Sequence, residues 1–168
     1  GDHYVTIGRQ LPYKRYDLAV KAATKLNKKL IVFGNGPAHD QLVKIAGPTV
    51  EFRTNRFGDA SDAEYEKAIT TARGFIYPAE EDFGIVSVEA LAAGAPVIGL
   101  ARGGTTDIVT SPDIGTLFHH QTVDDVVKAV EIAEQTSFHP SKLARTAKRF
   151  DKGLFLTKIK KVVRDSIS

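Results

Sequence analysis

The stretch GFIYPAEEDFGIVSVEALAAGAPVIGL, residues 74–100, decides the fold. Its two ends are short apolar runs that predict strands, and the segment between them predicts a helix. Strands that are apolar along their whole length and are joined by helices are typical of parallel sheets covered on both faces. Glu81 lies just before the predicted helix and Glu89 lies inside it, among small apolar residues. Because a carboxylate is costly to bury without a partner, both glutamates need an explanation.

The same alternation of apolar runs and helical periods continues along the chain. Strands are predicted at 3–8, 29–33, 49–52, 74–77, 96–100 and 115–118. Helices are predicted at 16–26, 38–46, 62–72, 84–93, 122–134 and 140–150, with a short helical turn near 105–109. Ser61 followed by Glu64 is a capping-box pattern at the start of the third helix. The sequence therefore predicts an α/β fold, a Rossmann-like doubly wound parallel sheet of about six strands flanked by helices.

The composition fits one globular domain with an ordinary core. The chain has 168 residues, of which 42% are apolar and 26% are charged. It contains no cysteine, which excludes a disulfide framework and a thiolate metal site and fits a reducing compartment. No apolar run approaches the roughly 20 residues that span a bilayer. The net charge of +3 is compatible with a small anionic ligand and too weak to indicate nucleic-acid binding.

Polar residues follow several predicted strands at their carboxyl ends, where doubly wound sheets bind ligands. Arg9 and Lys14 follow the first strand, and the glycine turn 34–37 follows the second. The segments 81–84 and 102–105 follow later strands. Two cations, two glycine turns and a helix N-terminus together predict an anion site suited to a phosphate or diphosphate. Taken singly, the cations also fit solvated loop charges, and the glycines also fit ordinary turn residues.

Two familiar phosphate motifs are missing from the sequence. A dinucleotide fingerprint needs a third glycine where this chain has His39, and it normally follows the first strand, whereas Gly34 and Gly36 follow the second. No Gly-Lys-Ser/Thr triplet follows a glycine loop, which excludes a P-loop nucleotidase. Hydride transfer and ATP hydrolysis are therefore disfavoured.

The motifs follow one another in a specific order. They are Gly8-Arg9 with Lys14, GNGP at 34–37, EDFG at 81–84 with Glu89, GAPVI at 94–98, and Gly103-Gly104. This order resembles the carboxyl-terminal, donor-binding half of retaining glycosyltransferases with two Rossmann-like domains, the GT-B enzymes of family 4 type. The resemblance covers nearly the whole chain, and the glutamate pair ahead of Gly-x-Pro-Val is its most specific part. The segment EEDFG is similar to that of bacterial polysaccharide mannosyltransferases.

The resemblance implies a nucleotide-sugar donor site and a role for each matching residue. Arg9 and Lys14 would hold the diphosphate in place of a metal ion, Glu81 would lie by the donor sugar, and Glu89 would take the ribose hydroxyls. A carboxylate that accepts two hydrogen bonds from a diol would give Glu89 its partner. The alternatives are a partly exposed Glu89 paired with a lysine, and a Glu81 favoured only by the helix dipole.

The resemblance extends to a full set of expected site residues. The expected catalytic residues are Glu81, Arg9 and Lys14. The expected donor-binding residues are Gly8, Arg9, Lys14, Gly34, Gly36, Arg53, Phe83, Gly84, Ile85, Glu89, Gly103 and Gly104. No metal and no other cofactor is expected. The segment Phe52-Arg53-Thr54 stands where the family often has Phe-Leu-Gly beside the base, so the identity of the base is left open.

The whole enzyme is expected to move a hexose, preferably mannose, from GDP-mannose or a UDP-hexose to a glycan or lipid-linked acceptor. An amino-terminal domain outside these residues would bind the acceptor, so residues 1–151 are interpreted as a donor-binding domain that is inactive alone. The expected location is the cytoplasm, at the inner face of the membrane. Two other hypotheses stay open, a nucleotide-sugar binding or epimerising domain of similar architecture and a vestigial, non-catalytic interaction module.

The segment 152–168 is predicted to be a separate basic helix. Apolar residues recur in it at helical spacing, surrounded by lysines and an arginine. One interpretation is a basic amphipathic helix that contacts an anionic membrane. The other is a helix whose apolar stripe docks on this domain or on the acceptor domain.

Overall fold

The computed structural model describes residues 1–53 and 61–167. The strands are β1 His3–Ile7, β2 Lys29–Phe33, β3 Val50–Phe52, β4 Gly74–Tyr77, β5 Val97–Leu100 and β6 Gly115–Phe118. The helices are α1 Tyr16–Leu26, α2 His39–Ile45, α3 Asp62–Thr70, α4 Ile85–Ala92, α5 Gly104–Ile108, α6 Val123–Gln135, α7 Pro140–Ala147 and α8 Lys152–Ser166. Short 3₁₀ turns lie at Pro12–Lys14 and Lys148–Phe150.

The strands form one parallel sheet in the order β3-β2-β1-β4-β5-β6, which confirms the predicted fold class. The chain builds outward from β1 to β3, returns to the middle, and then builds outward in the other direction from β4 to β6. Tyr4 of β1 pairs with Gly74 of β4 at the centre. The strand order therefore reverses between β1 and β4, and in such sheets a crevice opens at the carboxyl ends of these two strands.

Each strand contributes side chains alternately to the two faces of the sheet, and helices cover both. On one face α1 and α6 pack on the sheet through Ala19, Ala22, Val126 and Val130, which meet Tyr4, Leu30, Val32, Ile76 and Ile98. On the other face α4, α5 and α7 supply Ala90, Leu91, Ile108 and Leu143, which meet Val5, Ile31, Phe75 and Val97. Burial of strands on both faces is the reason that their sequences are apolar throughout.

The predicted helix boundaries hold to within one to three residues. The capping box at α3 is present, because Ser61 Oγ accepts from the amide of Glu64 at 3.3 Å while Glu64 Oε2 accepts from the amide of Ser61 at 3.1 Å. The helix predicted at 140–150 ends earlier, at Ala147, and continues as a 3₁₀ turn. The predicted site segment after β3 includes Thr54, which lies outside the described residues.

The helix α8 begins after Asp151, whose carboxylate accepts from the amide of Gly153 at 2.7 Å. Every residue from 151 to 167 is exposed. The exposed apolar side chains are Leu154, Phe155, Leu156, Ile159, Val162, Val163 and Ile167. Docking of this stripe on the described part of the domain is therefore wrong. Among residues 1–53 and 61–167, no helix is both long and apolar enough to cross a membrane.

Candidate functional site

The candidate site lies at the carboxyl edge of the sheet, where the strand order reverses. Gly8 follows β1 and Gly34 follows β2, both with positive φ, 134° and 113°. Their backbones are in direct contact, because a Cβ on Gly34 would lie 2.0 Å from the carbonyl oxygen of Gly8. A Cβ on Gly8 would lie 2.6 Å from the hydroxyl of Tyr16. These predicted donor-binding glycines are thus required by backbone packing, and they leave the strand ends free of side chains.

Glu81 is the centre of a cluster of hydrogen-bond donors. The ammonium Nζ of Lys14 lies 3.0 Å from Oε1 of Glu81. The hydroxyl of Tyr13 donates to the same oxygen at 3.1 Å, and the hydroxyl of Tyr77 donates to Oε2. Tyr13 and Lys14 come from the 3₁₀ turn that Pro12 begins, and Tyr77 is the last residue of β4. The fold therefore brings two segments on either side of the crevice together on one carboxylate.

The cluster keeps Glu81 ionised. Burial raises the pKa of Glu81, but the donors from Tyr77, Lys14 and Tyr13 outweigh it, and the pKa lies below its usual value. Burial and the neighbouring carboxylate raise the pKa of Tyr77 far above the ordinary value. The site thus combines the carboxylate of Glu81 with the side chains of Lys14, Tyr13 and Tyr77, an arrangement suited to hydroxyl groups and developing positive charge.

The N-terminus of α4 lies directly after Glu81. Gly84 caps this helix with a φ of 75°, and a Cβ there would lie 3.2 Å from the ring of Tyr77. The amide of Ser87 donates to the carbonyl of Gly84 at 2.9 Å. The amides before it at the start of α4 have no intrahelical acceptor and suit an anion. Phe83 and Ile85 flank this start with exposed side chains.

The predicted Gly103-Gly104 pair packs against the loop that carries Glu81. The amide of Gly104 donates to the carbonyl of Glu81 at 2.8 Å. A Cβ on Gly103 would lie 2.3 Å from that carbonyl oxygen, and a Cβ on Gly104 would lie 2.3 Å from the carbonyl oxygen of Phe83. This glycine pair therefore positions the Glu81 loop, whatever else it contacts.

Glu89 is exposed on α4, so its small apolar neighbours in the sequence do not bury it. The helix buries Ser87, Ala90 and Leu91 instead. The partner of Glu89 is a hydroxyl rather than a lysine, since Tyr65 of α3 donates to Oε2 at 2.9 Å. Glu89 also lines a cleft of about 480 Å³ between α4 and α7. One of its oxygens is thus held by Tyr65, and the other has no hydrogen-bond partner within residues 1–53 and 61–167.

The two predicted arginines differ in their surroundings. Arg9 is exposed directly after β1, and within residues 1–53 and 61–167 its guanidinium makes no ion pair. Arg53 follows the edge strand β3, where its Nη2 donates to Glu51 Oε2 at 3.1 Å. The structure therefore brings Lys14 to Glu81, leaves Arg9 available at the same edge, and holds Arg53 on a neighbouring carboxylate.

Several residues near the site were not predicted from the sequence. Tyr13, Tyr77 and Tyr65 supply hydroxyls to the two glutamates. Gln121, just after β6, donates to the carbonyl of Pro78 at 2.8 Å. It lines a cleft of about 510 Å³ together with Tyr13, Arg15, Glu80, Glu81, Asp82 and Gly103. A tyrosine at the end of a strand four positions before a loop glutamate was the one sequence feature that pointed to this cluster.

A second polar network supports the glycine turn after β2. The buried Gln10 donates through Nε2 to the carbonyl of Gly34 at 2.7 Å, and its Oε1 lies 2.9 Å from Nδ1 of His39. His39 also lies edge-on to Phe52 of β3. His39, which the sequence left without a role, thus links this turn to the edge strand. No three His, Asp or Glu side chains converge as a possible metal site in the described ranges.

Several known proteins resemble this chain in sequence or in fold. The D-inositol 3-phosphate glycosyltransferase of Mycobacterium leprae is 31% identical over 139 residues, which is 78% of this chain and 32% of the relative. The pneumococcal O-GlcNAc transferase GtfA, solved with UDP and GlcNAc, superposes with a TM-score of 0.76 at 20% identity, over 99% of this chain and 36% of that one. The catalytic domain of starch synthase IV from Arabidopsis thaliana, bound to ADP and acarbose, gives 0.73 at 18% identity, over 99% and 38%.

The chain thus spans about a third of the length of the curated relatives it matches. Its sheet order and the helices on both faces agree with the GT-B architecture of its structural neighbours. The family model of glycosyl transferases group 1 matches residues 2–150, which include the whole sheet and helices α1 to α7. The chain therefore belongs to the glycosyl transferases group 1 family.

Proposed function

We propose that this chain is the donor-binding domain of a retaining glycosyltransferase that moves a hexose from a nucleoside diphosphate sugar to an acceptor. The observation that carries the proposal is the ionised Glu81, held beside Lys14 at the start of α4. A cation and free helix amides suit a diphosphate, and a carboxylate suits sugar hydroxyls. These groups occupy the crevice where the strand order reverses, the usual ligand position in this architecture.

In the proposed reaction the charged groups of the site act one after another. The diphosphate is the leaving group, and Arg9 and Lys14 neutralise the charge that it gains, in the role that a metal ion would otherwise have. Lys14 moves from Glu81 to the diphosphate when the donor binds. Glu81 then faces the donor sugar, where its negative charge stabilises the positive charge that develops at the anomeric carbon.

The donor is proposed to be GDP-mannose or a UDP-hexose, with mannose favoured by the likeness of EEDFG to mannosyltransferases. One similar protein is named as a D-inositol 3-phosphate glycosyltransferase. For this protein we propose a glycan or lipid-linked acceptor, bound by a second domain outside these residues, and a cytoplasmic location. Glu89 is proposed to bind the ribose through the oxygen that Tyr65 leaves available.

Calorimetric titration of the chain with GDP, UDP and ADP, with and without EDTA, tests the proposal. We expect one nucleoside diphosphate to bind best and EDTA to change nothing. Loss of binding in EDTA would contradict the role given to Arg9 and Lys14. If none of the nucleotides bound, the chain would be a vestigial interaction module. Turnover of UDP-N-acetylglucosamine without an acceptor would instead indicate an epimerising domain.

A further inference from the structure

Tyr77 is more deeply buried than the other donors around Glu81. It is the last residue of β4 and is fully buried, at 0% exposure. Its ring stacks on Phe75 with 5.5 Å between centroids and 24° between planes. The ring also lies under Gly84, where a Cβ would approach to 3.2 Å. The strand and the start of α4 thus fix the direction of the Tyr77 hydroxyl.

The two oxygens of Glu81 therefore have different environments. Oε2 receives the hydroxyl of the buried Tyr77. Oε1 receives Tyr13, which is 55% exposed, and Lys14, both from the 3₁₀ turn after β1. The donors on Oε1 belong to a short turn that contains no fully buried residue, and they can exchange with a ligand. The donor on Oε2 belongs to the core and stays in place.

We propose that Tyr77 is the positioning residue of Glu81, fixing the carboxylate by Oε2 so that Oε1 faces the donor sugar once Lys14 has moved to the diphosphate. The proposal rests on the function proposed above and adds a residue to it. A buried donor that is already aligned spares the carboxylate the cost of reorganising when charge develops on the substrate. Tyr77 itself contacts neither the nucleotide nor the sugar in this arrangement.

The substitution Tyr77→Phe removes only the hydroxyl oxygen of this side chain. In Tyr77→Phe the ring and its packing on Phe75 remain, while Oε2 of Glu81 loses its donor. A buried carboxylate oxygen without a partner favours the protonated form, so the pKa of Glu81 rises. The carboxylate also loses its fixed orientation, so it binds sugar hydroxyls less well.

The first measurement needs no ligand. The side-chain carboxyl carbon of Glu81 is followed by NMR as a function of pH in the wild-type chain and in Tyr77→Phe, with Glu81→Gln for assignment. We expect the midpoint to move to higher pH in Tyr77→Phe. The matched control is Tyr4→Phe in a different tyrosine–glutamate pair. It removes the hydroxyl that donates to Oε1 of Glu134 at 3.1 Å. This control should leave the Glu81 midpoint unchanged.

The second measurement compares two ligands on the same variants. In Tyr77→Phe the affinity for the nucleotide sugar should fall about tenfold, the loss expected for one charge-assisted hydrogen bond. The affinity for the bare nucleoside diphosphate should stay within about twofold, since Tyr77 acts only through Glu81. An unchanged Glu81 midpoint, or equal losses for both ligands, would overturn the positioning role of Tyr77. Failure of the wild-type chain to bind either ligand would instead overturn the proposed function.

Discussion

The ammonium of Lys14 lies 3.0 Å from Oε1 of Glu81, and both side chains are largely buried, with 12% and 22% exposed. The residue proposed to hold the diphosphate is thus paired, without ligand, with the residue proposed to serve the sugar. In the proposed donor complex the diphosphate draws Lys14 away from this carboxylate. Donor binding and release of Glu81 would therefore be two parts of one exchange.

Glu81→Ala should separate the two parts of this exchange. In this chain it should not weaken binding of the bare nucleoside diphosphate, because it frees Lys14 and removes a negative charge beside an anionic ligand. In the whole enzyme the same change should reduce turnover about 10²-fold or more, since the interaction strengthens in the transition state. Calorimetry and steady-state kinetics measure the two effects. Near-normal turnover would reduce Glu81 to a helix-start carboxylate.

Arg9→Ala and Lys14→Ala should each weaken nucleoside diphosphate binding. Loss of one charge-assisted contact costs about 1.5–3 kcal/mol, which is roughly tenfold or more in affinity. The loss should be larger for Arg9, because its guanidinium is not paired in the described residues and gives up no partner to bind the ligand. Lys25→Ala, which breaks an exposed pair with Asp124 at 2.7 Å, is the control for a general charge effect. Wild-type affinity in both site variants would refute the diphosphate assignment.

Glu89→Gln should weaken nucleotide binding through the ribose. The substitution keeps the size of the side chain but replaces one carboxylate oxygen by a donor, so it binds a diol less well. A 2′,3′-dideoxy nucleotide should already bind weakly to the wild-type chain and should lose little further affinity in the variant. Tyr65→Phe removes the hydroxyl that donates to Oε2 of Glu89 at 2.9 Å. This variant should also lose nucleotide affinity, but less than Glu89→Gln does. Equal losses with both nucleotides would mean that Glu89 has a different partner.

The sheet could be predicted from the sequence because its strands are apolar on both faces and are separated by helical periods. The residue sets at the strand ends could be predicted for the same reason, since parallel strands bring their carboxyl ends to one edge. Lys14 and Glu81, 67 positions apart, both lie at this edge, although their direct contact was not predicted. The architecture alone is sufficient to bring such residues into one crevice.

The hydrogen-bond partners within the site could not be predicted. The contact between Tyr13 and Glu81 joins residues 68 positions apart and depends on the register of β1 against β4. The exposure of Glu89 could not be predicted either, because small apolar neighbours on α4 do not reveal which side of the helix faces the core. Ala90 and Leu91 face it, whereas Ile85 and Glu89 do not. Side-chain direction on a short helix requires the packed structure.

The exposed stripe of α8 gives a prediction about membranes. Phe155, Ile159, Val162 and Val163 recur at helical spacing, and all of them are exposed. The basic residues of the helix are Lys152, Lys158, Lys160, Lys161 and Arg164. A basic amphipathic helix binds anionic lipid through both its charges and its apolar face. In a flotation assay this chain should therefore bind liposomes that contain phosphatidylserine, bind neutral liposomes weakly, and dissociate at high salt.

Two substitutions distinguish lipid binding by α8 from non-specific binding by other exposed apolar residues. Phe155→Asp should abolish flotation, because it places a charge in the middle of the apolar stripe and opposes the lipid charge. Ile132→Asp is the matched control, since Ile132 is 55% exposed on α6, comparable to the 60% of Phe155. The control should float like the wild type. A second outcome is that the wild-type chain fails to float, or that neither high salt nor Phe155→Asp reduces its flotation. Either result would mean that the stripe contacts protein rather than lipid.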